Sequence, residues 1–159
     1  MRTPPYAAAL ESARYPDQRG GRRLRCGETF DVLRVPEPAG HWALRRLLGY
    51  GQPALLPGPV GQEADAVGAE AAALFLVAPG AEEDLPELLD WLDWGGIDLG
   101  LRAYGAGESI AEPAVWLHDP HAQVPEVIAL LATIAECCSR RLLRCSIPRD
   151  RRETRLETR

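Results

Sequence analysis

The feature that most constrains the fold is an uninterrupted apolar run at residues 73–78, ALFLVA, which is closed by Pro79 and Gly80. Successive side chains of a strand point to opposite faces of a sheet, so a strand that is apolar throughout is buried on both faces. The run has the length of a strand, and the proline and glycine after it mark a turn. We therefore predict a fully buried strand within a sheet.

Amphipathic helices and short strands flank this run. Apolar residues recur at helical spacing over 84–94 and 124–145, and the first of these helices is predicted to begin near 84 because Pro86 belongs in a first turn. Residues 97–103 alternate strictly, which predicts a strand, and 109–111 are predicted to run back beside it. The other predicted elements are a strand at 29–35, a helix at 40–48 and an extended run at 115–117. This order predicts an α+β fold, an α/β sandwich in which helices cover a mixed or antiparallel sheet.

Charge divides the chain into an acidic body and two basic ends. Residues 1–25 and 140–159 together carry a net charge of +9, and residues 26–139 carry −14, which gives −5 for the whole chain. We predict a disordered basic arm at 1–25, one α+β domain at 26–146 and a charged tail at 147–159. The acidic body argues against a simple duplex-binding module, because nucleic-acid affinity depends on neutralising phosphates.

Neither a membrane span nor a signal peptide is indicated. No apolar run reaches the roughly 18 residues of a spanning helix, and the first residues lack a basic segment followed by an apolar one. The four cysteines form no C-x-x-C pair and no regular framework, which suits a reducing compartment. We therefore predict a cytoplasmic protein with no membrane partner.

Several short phrases recur in the order found in a known family. They are CGETFDVL followed by VPE, then GPV, LFLVAPG, LPELL, IDL followed by GAG, and Trp116 before the last helix. On these phrases the chain resembles the bifunctional DNA primase/polymerase (prim-pol) domain proteins of actinomycete-type bacteria, over roughly residues 26–140. The resemblance implies an archaeo-eukaryotic primase-like nucleotidyltransferase fold, in which acidic residues on strands hold two divalent ions, Mg²⁺ or Mn²⁺.

The resemblance also implies the residues of a site. Carried over by position, Asp31 and Asp98 match the catalytic, metal-binding acids. Glu37 and Arg102 are the candidates for binding the nucleotide, and Glu37 or Glu112 is a candidate for a further metal ligand from a neighbouring loop. Hard carboxylate oxygens of this kind are what Mg²⁺ requires.

The acidic positions depart from the family pattern. The family has a second acid close to the first, but the residues two and three positions after Asp31 are Leu33 and Arg34. A guanidinium there opposes a bound cation. The histidine expected on the middle strand is also missing, since residues 74–78 are wholly apolar. These departures predict a degenerate active site, in which Arg34 could instead pair with Asp31 or Asp98.

Two functions remain open from the sequence. The first is a divergent, catalytically impaired prim-pol-like domain without a metal cofactor, which acts as a binding or regulatory module. Its partners would be DNA or a nucleotide at the basic ends and the residual site, or a protein on an apolar groove around Trp91, Trp94 and Trp116. The second is an active metal-dependent primase/polymerase that uses Asp31 and Asp98.

Two other interpretations of these polar residues also remain open. Asp31 and Asp98 could be ordinary strand-end carboxylates. The segment HDPH at 118–121 offers imidazoles and a carboxylate for zinc, although it supplies fewer than four ligands.

Overall fold

The computed structural model describes residues 10–63 and 71–146, with side chains described up to residue 144. A short 3-10 turn, Pro53–Leu55, follows the helix Ala39–Tyr50. The elements in chain order are strands β1 (Arg14–Pro16), β2 (Arg22–Arg25) and β3 (Asp31–Pro36), helix α1 (Ala39–Tyr50), strands β4 (Val60–Gln62) and β5 (Ala72–Val77), helix α2 (Ala81–Trp91), strands β6 (Arg102–Tyr104), β7 (Ser109–Ala111) and β8 (Trp116–His118), and helix α3 (Val127–Ser146).

The strands form two antiparallel sheets. The larger is five-stranded with the order β6-β3-β5-β4-β8, and the smaller is three-stranded with the order β1-β2-β7. Each strand pairing is antiparallel, which decides between the mixed and antiparallel sheets predicted. The predicted α+β class is therefore confirmed.

Layers on both faces bury the larger sheet. On one face, Leu33 and Phe75 pack in a core with α1, α2 and α3. On the other face, Val32 and Leu74 pack in a second core with Leu24 of the smaller sheet. Strand β5 is buried at every position, as its apolar run predicts. Full burial of each large apolar side chain contributes about 1.5–3 kcal/mol, so this central strand anchors both cores.

The predicted disordered arm at 1–25 is wrong for residues 10–25. Residues 10–13 are helical, and β1 and β2 form an antiparallel hairpin whose second strand pairs with β7. Leu24 is fully buried there, and Arg14 forms an ion pair with Glu112. The hairpin forms because its partners come from a distant part of the chain, which a local pattern does not reveal. Residues 1–9 and the predicted tail at 147–159 lie outside the described residues.

Two further boundaries differ from the sequence prediction. Helix α2 begins at Ala81, so Pro86 lies in its second turn. The strand predicted at 97–103 is limited to β6, and β7 pairs with β2 instead of running back beside β6. Before β6, Gly100 adopts a φ of +79°, a left-handed conformation that interrupts an extended strand.

None of the helices within residues 10–63 and 71–146 is long and apolar enough to cross a membrane.

Candidate functional site

The carboxylate of Asp31 lies at the start of β3 and is almost completely buried, with 1% of the residue exposed. Its Oδ2 accepts hydrogen bonds from the backbone N–H groups of Gly80 (3.1 Å) and Glu82 (3.0 Å). The first N–H groups of a helix lack partners within the helix, and the positive end of its dipole favours a negative charge. Asp31 therefore caps the N-terminus of α2 from a neighbouring strand.

Two more carboxylates lie in the same corner, which we call the Asp31 corner: Asp31, Glu82, Gly105 and Glu108. A Cβ added to Gly105 would lie 2.7 Å from Oε2 of Glu82 and 3.2 Å from Oδ2 of Asp31. Glu108 accepts a hydrogen bond from the N–H of Gly105 at 3.1 Å. Oδ1 of Asp31 has no hydrogen-bond partner among the described residues. The corner concentrates negative charge around a buried carboxylate.

Sequence reasoning missed Glu82 and Glu108 as members of this corner. Glu82 stands out only as one of several acids in the first turn of α2, and Glu108 follows a glycine-rich turn without any other signal. Glu108 is near Asp31 because the pairing of β3 with β6 brings the turn after β6 beside the start of β3. Glu82 is near Asp31 because β3 pairs with β5, which places Asp31 opposite Val77, shortly before α2 begins.

Asp98 lies at the other end of β3. It is exposed in the segment before β6, and its Oδ1 accepts a hydrogen bond from the N–H of Gly100 at 2.9 Å. A Cβ added to Gly100 would lie 3.2 Å from Cγ of Pro36, the last residue of β3. The strand from Asp31 to Pro36 spans about 16 Å at the usual rise per residue. The structure therefore does not bring Asp31 and Asp98 together.

Glu37 lies beyond the same far end of β3. Its Oε1 accepts the backbone N–H of His41 at 3.1 Å, and its Oε2 contacts Nδ1 of His41. Its carbonyl oxygen accepts a hydrogen bond from Nε of Arg141 at 3.1 Å. Glu37 therefore holds the start of α1 and connects it to α3, away from the Asp31 corner.

Arg102 and Glu112 are engaged in contacts within the fold. Arg102 lies over the ring of Tyr104, 4.6 Å from its centroid, and one guanidinium nitrogen lies 3.7 Å from Oε2 of Glu108. Arg102 is thus next to the Asp31 corner, but it is 63% exposed. Glu112 pairs with Arg14 at 2.6 Å. Among the other candidate site residues, Arg102 is the one that contacts the Asp31 corner, through its ion pair with Glu108. The remaining candidates are Asp98, Glu37 and Glu112.

Arg34 forms an ion pair with Glu63. Its Nε lies 2.7 Å from Oε2 and its Nη2 lies 3.0 Å from Oε1, so the contact is bidentate, and both side chains are mostly buried. Alternation along β3 places Arg34 on the face opposite Asp31. The sequence suggested that Arg34 could pair with Asp31 or Asp98. In the structure Arg34 pairs with Glu63 instead.

The implied two-metal centre does not fit these residues. Oδ2 of Asp31 already accepts two backbone hydrogen bonds, and the other expected acid is remote. Within the part of the chain that the structure describes, no group of three or more His, Cys, Asp or Glu side chains is placed to hold a metal ion. The HDPH segment lies in this described part of the chain, and there Nδ1 of His118 lies 2.9 Å from the carbonyl oxygen of Gly58.

The thiol of Cys26 lies close to the Asp31 corner. Burial raises the pKa of Cys26 to about 12, and the charges of Asp31 and Glu108 raise it in the same direction. A thiol with so high a pKa stays protonated near neutral pH, and the thiolate is the nucleophilic form. Cys26 is therefore a buried packing residue and not a nucleophile.

The predicted apolar groove around three tryptophans is not formed. Trp91 is 78% exposed, whereas Trp94 packs against the core that α1, α2 and α3 share. Trp116 packs against the second core, on the opposite face of the larger sheet. The two faces of the sheet separate these side chains, so they do not share one contact surface.

In comparisons with known proteins, no family model, no curated protein and no solved structure matches this chain.

Proposed function

We propose that this chain is a divergent prim-pol-like domain that acts as a binding or regulatory module and not as a polymerase. The observation that carries the proposal is that Asp31 and Asp98 lie near opposite ends of β3. The ions of a two-metal site lie about 3.5–4 Å apart and each ligand oxygen lies about 2.1 Å from its ion, so the ligand oxygens of the whole centre lie within about 8 Å of one another. A strand length of about 16 Å between these acids is incompatible with that requirement.

The contacts of the acidic and basic residues support the same conclusion. Asp31 caps α2, Glu37 holds the start of α1, and Arg34 pairs with Glu63. Each of these side chains is used to join elements of the fold. In a working two-metal site, carboxylates are directed at the ions, which stabilise the attacking and leaving oxygens.

The proposal allows three partner classes: DNA, a nucleotide and another protein. The arginines of residues 10–25 are used in part within the fold, because Arg23 donates hydrogen bonds to Ser109 and Arg22 lies 4.0 Å from Glu112. We place the protein in the cytoplasm. The free thiols of Cys26 and Cys137 support that location, since reducing compartments keep cysteines unpaired.

The alternative is an active, metal-dependent primase/polymerase. It draws support from the unpartnered Oδ1 of Asp31, because a buried carboxylate oxygen without a donor is suited to a cation. It requires Asp98 at the same ion, however, and Asp98 is held by Gly100 at the other end of the strand.

A nucleotide-incorporation assay separates the two functions. The wild-type protein is incubated with labelled dNTPs, Mg²⁺ or Mn²⁺, and primed or unprimed template, beside an active polymerase as a positive control. We expect no metal-dependent incorporation and no Mn²⁺-dependent dNTP binding. Metal-dependent incorporation by the wild type would overturn the proposal, and its loss in Asp98→Ala, with an unchanged circular dichroism spectrum, would identify the alternative mechanism.

A further inference from the structure

A basic groove lies between α1 and α3, which pack against each other. It has a volume of about 430 Å³, and we call it the arginine groove. Its lining residues are Trp42, Arg45, Arg46, Cys137, Arg140 and Arg144. Small-molecule sites usually have volumes of about 300–1,000 Å³. The arginine groove therefore has the size of a small-ligand site.

The positive charge of the groove is only partly neutralised. Glu136 pairs with Arg46 at 3.1 Å and with Arg140 at 3.2 Å. Arg144 lies over the ring of Trp42, 4.6 Å from its centroid. Arg45 is exposed and makes no ion pair within residues 10–63 and 71–144. Among the described residues, Arg45, Arg46 and Arg140 thus share one neighbouring carboxylate, which leaves an excess of two positive charges on these three side chains.

The arginine groove is positively charged although the body of the chain is acidic. Residues 26–139 carry a net charge of −14 and contain four arginines, of which Arg45 and Arg46 both line the groove. Arg140 and Arg144 join them from the end of α3. Clustered like charges in a concave surface raise the local concentration of counter-ions. An anion of several charges would offset their mutual repulsion best.

The chemistry and length of the groove indicate which anion fits. A guanidinium group donates two parallel hydrogen bonds to a phosphate group. From Cys137 to Arg144, α3 advances about 10 Å, which is the length of the groove along that helix. Trp42 is partly buried against the core, and Arg144 covers its ring. A free aromatic surface for stacking bases is therefore missing from the groove lining.

We infer that the arginine groove binds a compact anion that carries two or three phosphate groups. Sites for single-stranded nucleic acid usually combine basic residues with several stacking aromatics over roughly four or more nucleotides. The groove is short and has one covered tryptophan, so it fits the compact anion better than a strand. This inference rests on the proposed binding role, because it names the ligand class of the module.

The test is a calorimetric titration of the whole chain with sodium tripolyphosphate in EDTA and at low salt. Arg45→Glu reverses a charge in the groove without breaking an ion pair among the described residues. The double variant Gln18→Glu/Gln123→Glu makes the same change in net charge at two exposed positions that are not basic and do not line the groove, and serves as the matched control. We expect Arg45→Glu to raise the Kd at least tenfold and the double variant to change it by less than about twofold, since charge-assisted contacts contribute about 1.5–3 kcal/mol.

Further titrations, with ATP and with an oligothymidylate, identify the source of the phosphate groups. Equal affinity for ATP and tripolyphosphate supports recognition of phosphate alone, and tighter binding of ATP supports the same groove with a nucleotide as its ligand. Absence of tripolyphosphate binding by the wild type, or equal loss in both variants, would overturn the inference. Tighter, Arg45-dependent binding of an oligothymidylate would overturn it in favour of a single-stranded nucleic acid. Because EDTA removes divalent metals, these outcomes do not depend on the metal-dependent assay that tests the proposed function.

Discussion

Replacing Asp31 with alanine should destabilise the fold, because its carboxylate caps α2. The change removes the acceptor of two N–H groups, those of Gly80 and Glu82. A buried N–H group left without a partner costs about 1–3 kcal/mol, and loss of a helix cap costs about 0.5–2 kcal/mol. Because these two hydrogen bonds are only partly buried, the lower part of the first range applies to each. Repulsion from Glu82 and Glu108 ends at the same time, which offsets part of this cost. We therefore expect a net loss of about 2–3 kcal/mol.

Urea and thermal unfolding, followed by circular dichroism, measure this loss. For a chain of this length, about 2–4 °C of Tm is lost per kcal/mol, so Tm should fall by about 4–12 °C. Asp31→Asn keeps one acceptor oxygen and should lose less, about 1 kcal/mol. Asp98→Ala, at an exposed position, should stay within about 0.5 kcal/mol of the wild type. An unchanged or raised Tm for Asp31→Ala would refute the capping role, since relief of repulsion alone predicts that result.

Three further predictions concern the ion pair, the thiols and the core. A double-mutant cycle on Arg34 and Glu63 should give a coupling of about 1 kcal/mol, since the pair is bidentate and mostly buried, and a coupling near zero would contradict that reading. Burial raises the pKa of both Cys26 and Cys138 to about 12. The unfolded chain therefore releases these protons first, so stability is retained below about pH 8.5 and falls as the pH rises from about 9 towards 12. Urea titrations across that range should show a shallower fall for the Cys26→Ala/Cys138→Ala variant, and an identical slope would count against the shifted pKa values. Phe75→Ala should cost about 3–5 kcal/mol by urea unfolding, because the ring is fully buried, and a cost below about 1 kcal/mol would be inconsistent with its packing.

Local patterns predicted the fully apolar central strand and the helices that bury one face. The apolar run at 73–78 corresponds to β5, and the predicted helices at 40–48 and 124–145 correspond to α1 and α3. The start of α2 was missed because its cap is Asp31, which precedes the helix by about fifty residues. The hairpin at 14–25 was missed for a similar reason, since its stabilising partner is β7.

The candidate site could be predicted only as a set of residue types. The sequence, through its family resemblance, implied Asp31 and Asp98 as candidate acids and Arg34 as a departure from the expected pattern. It contained no measure of the distance between the acids, because that distance depends on how β6 pairs with β3. The partner of Arg34 could not be predicted either. Glu63 follows β4, and its side chain contacts Arg34 of β3 across the intervening strand β5.

The α+β class and the buried central strand follow from local sequence patterns. An unbroken apolar run marks a strand that is buried on both faces, and a period of 3.6 residues marks a helix with one buried face. The roles of the charged residues depend on the tertiary structure. It made Asp31 a helix cap, placed Asp98 at the far end of β3, and joined Arg45 to Arg144 in one groove. Charged side chains carry no periodic signal of their partners, and contacts between distant segments exist only once the sheets and helices have packed.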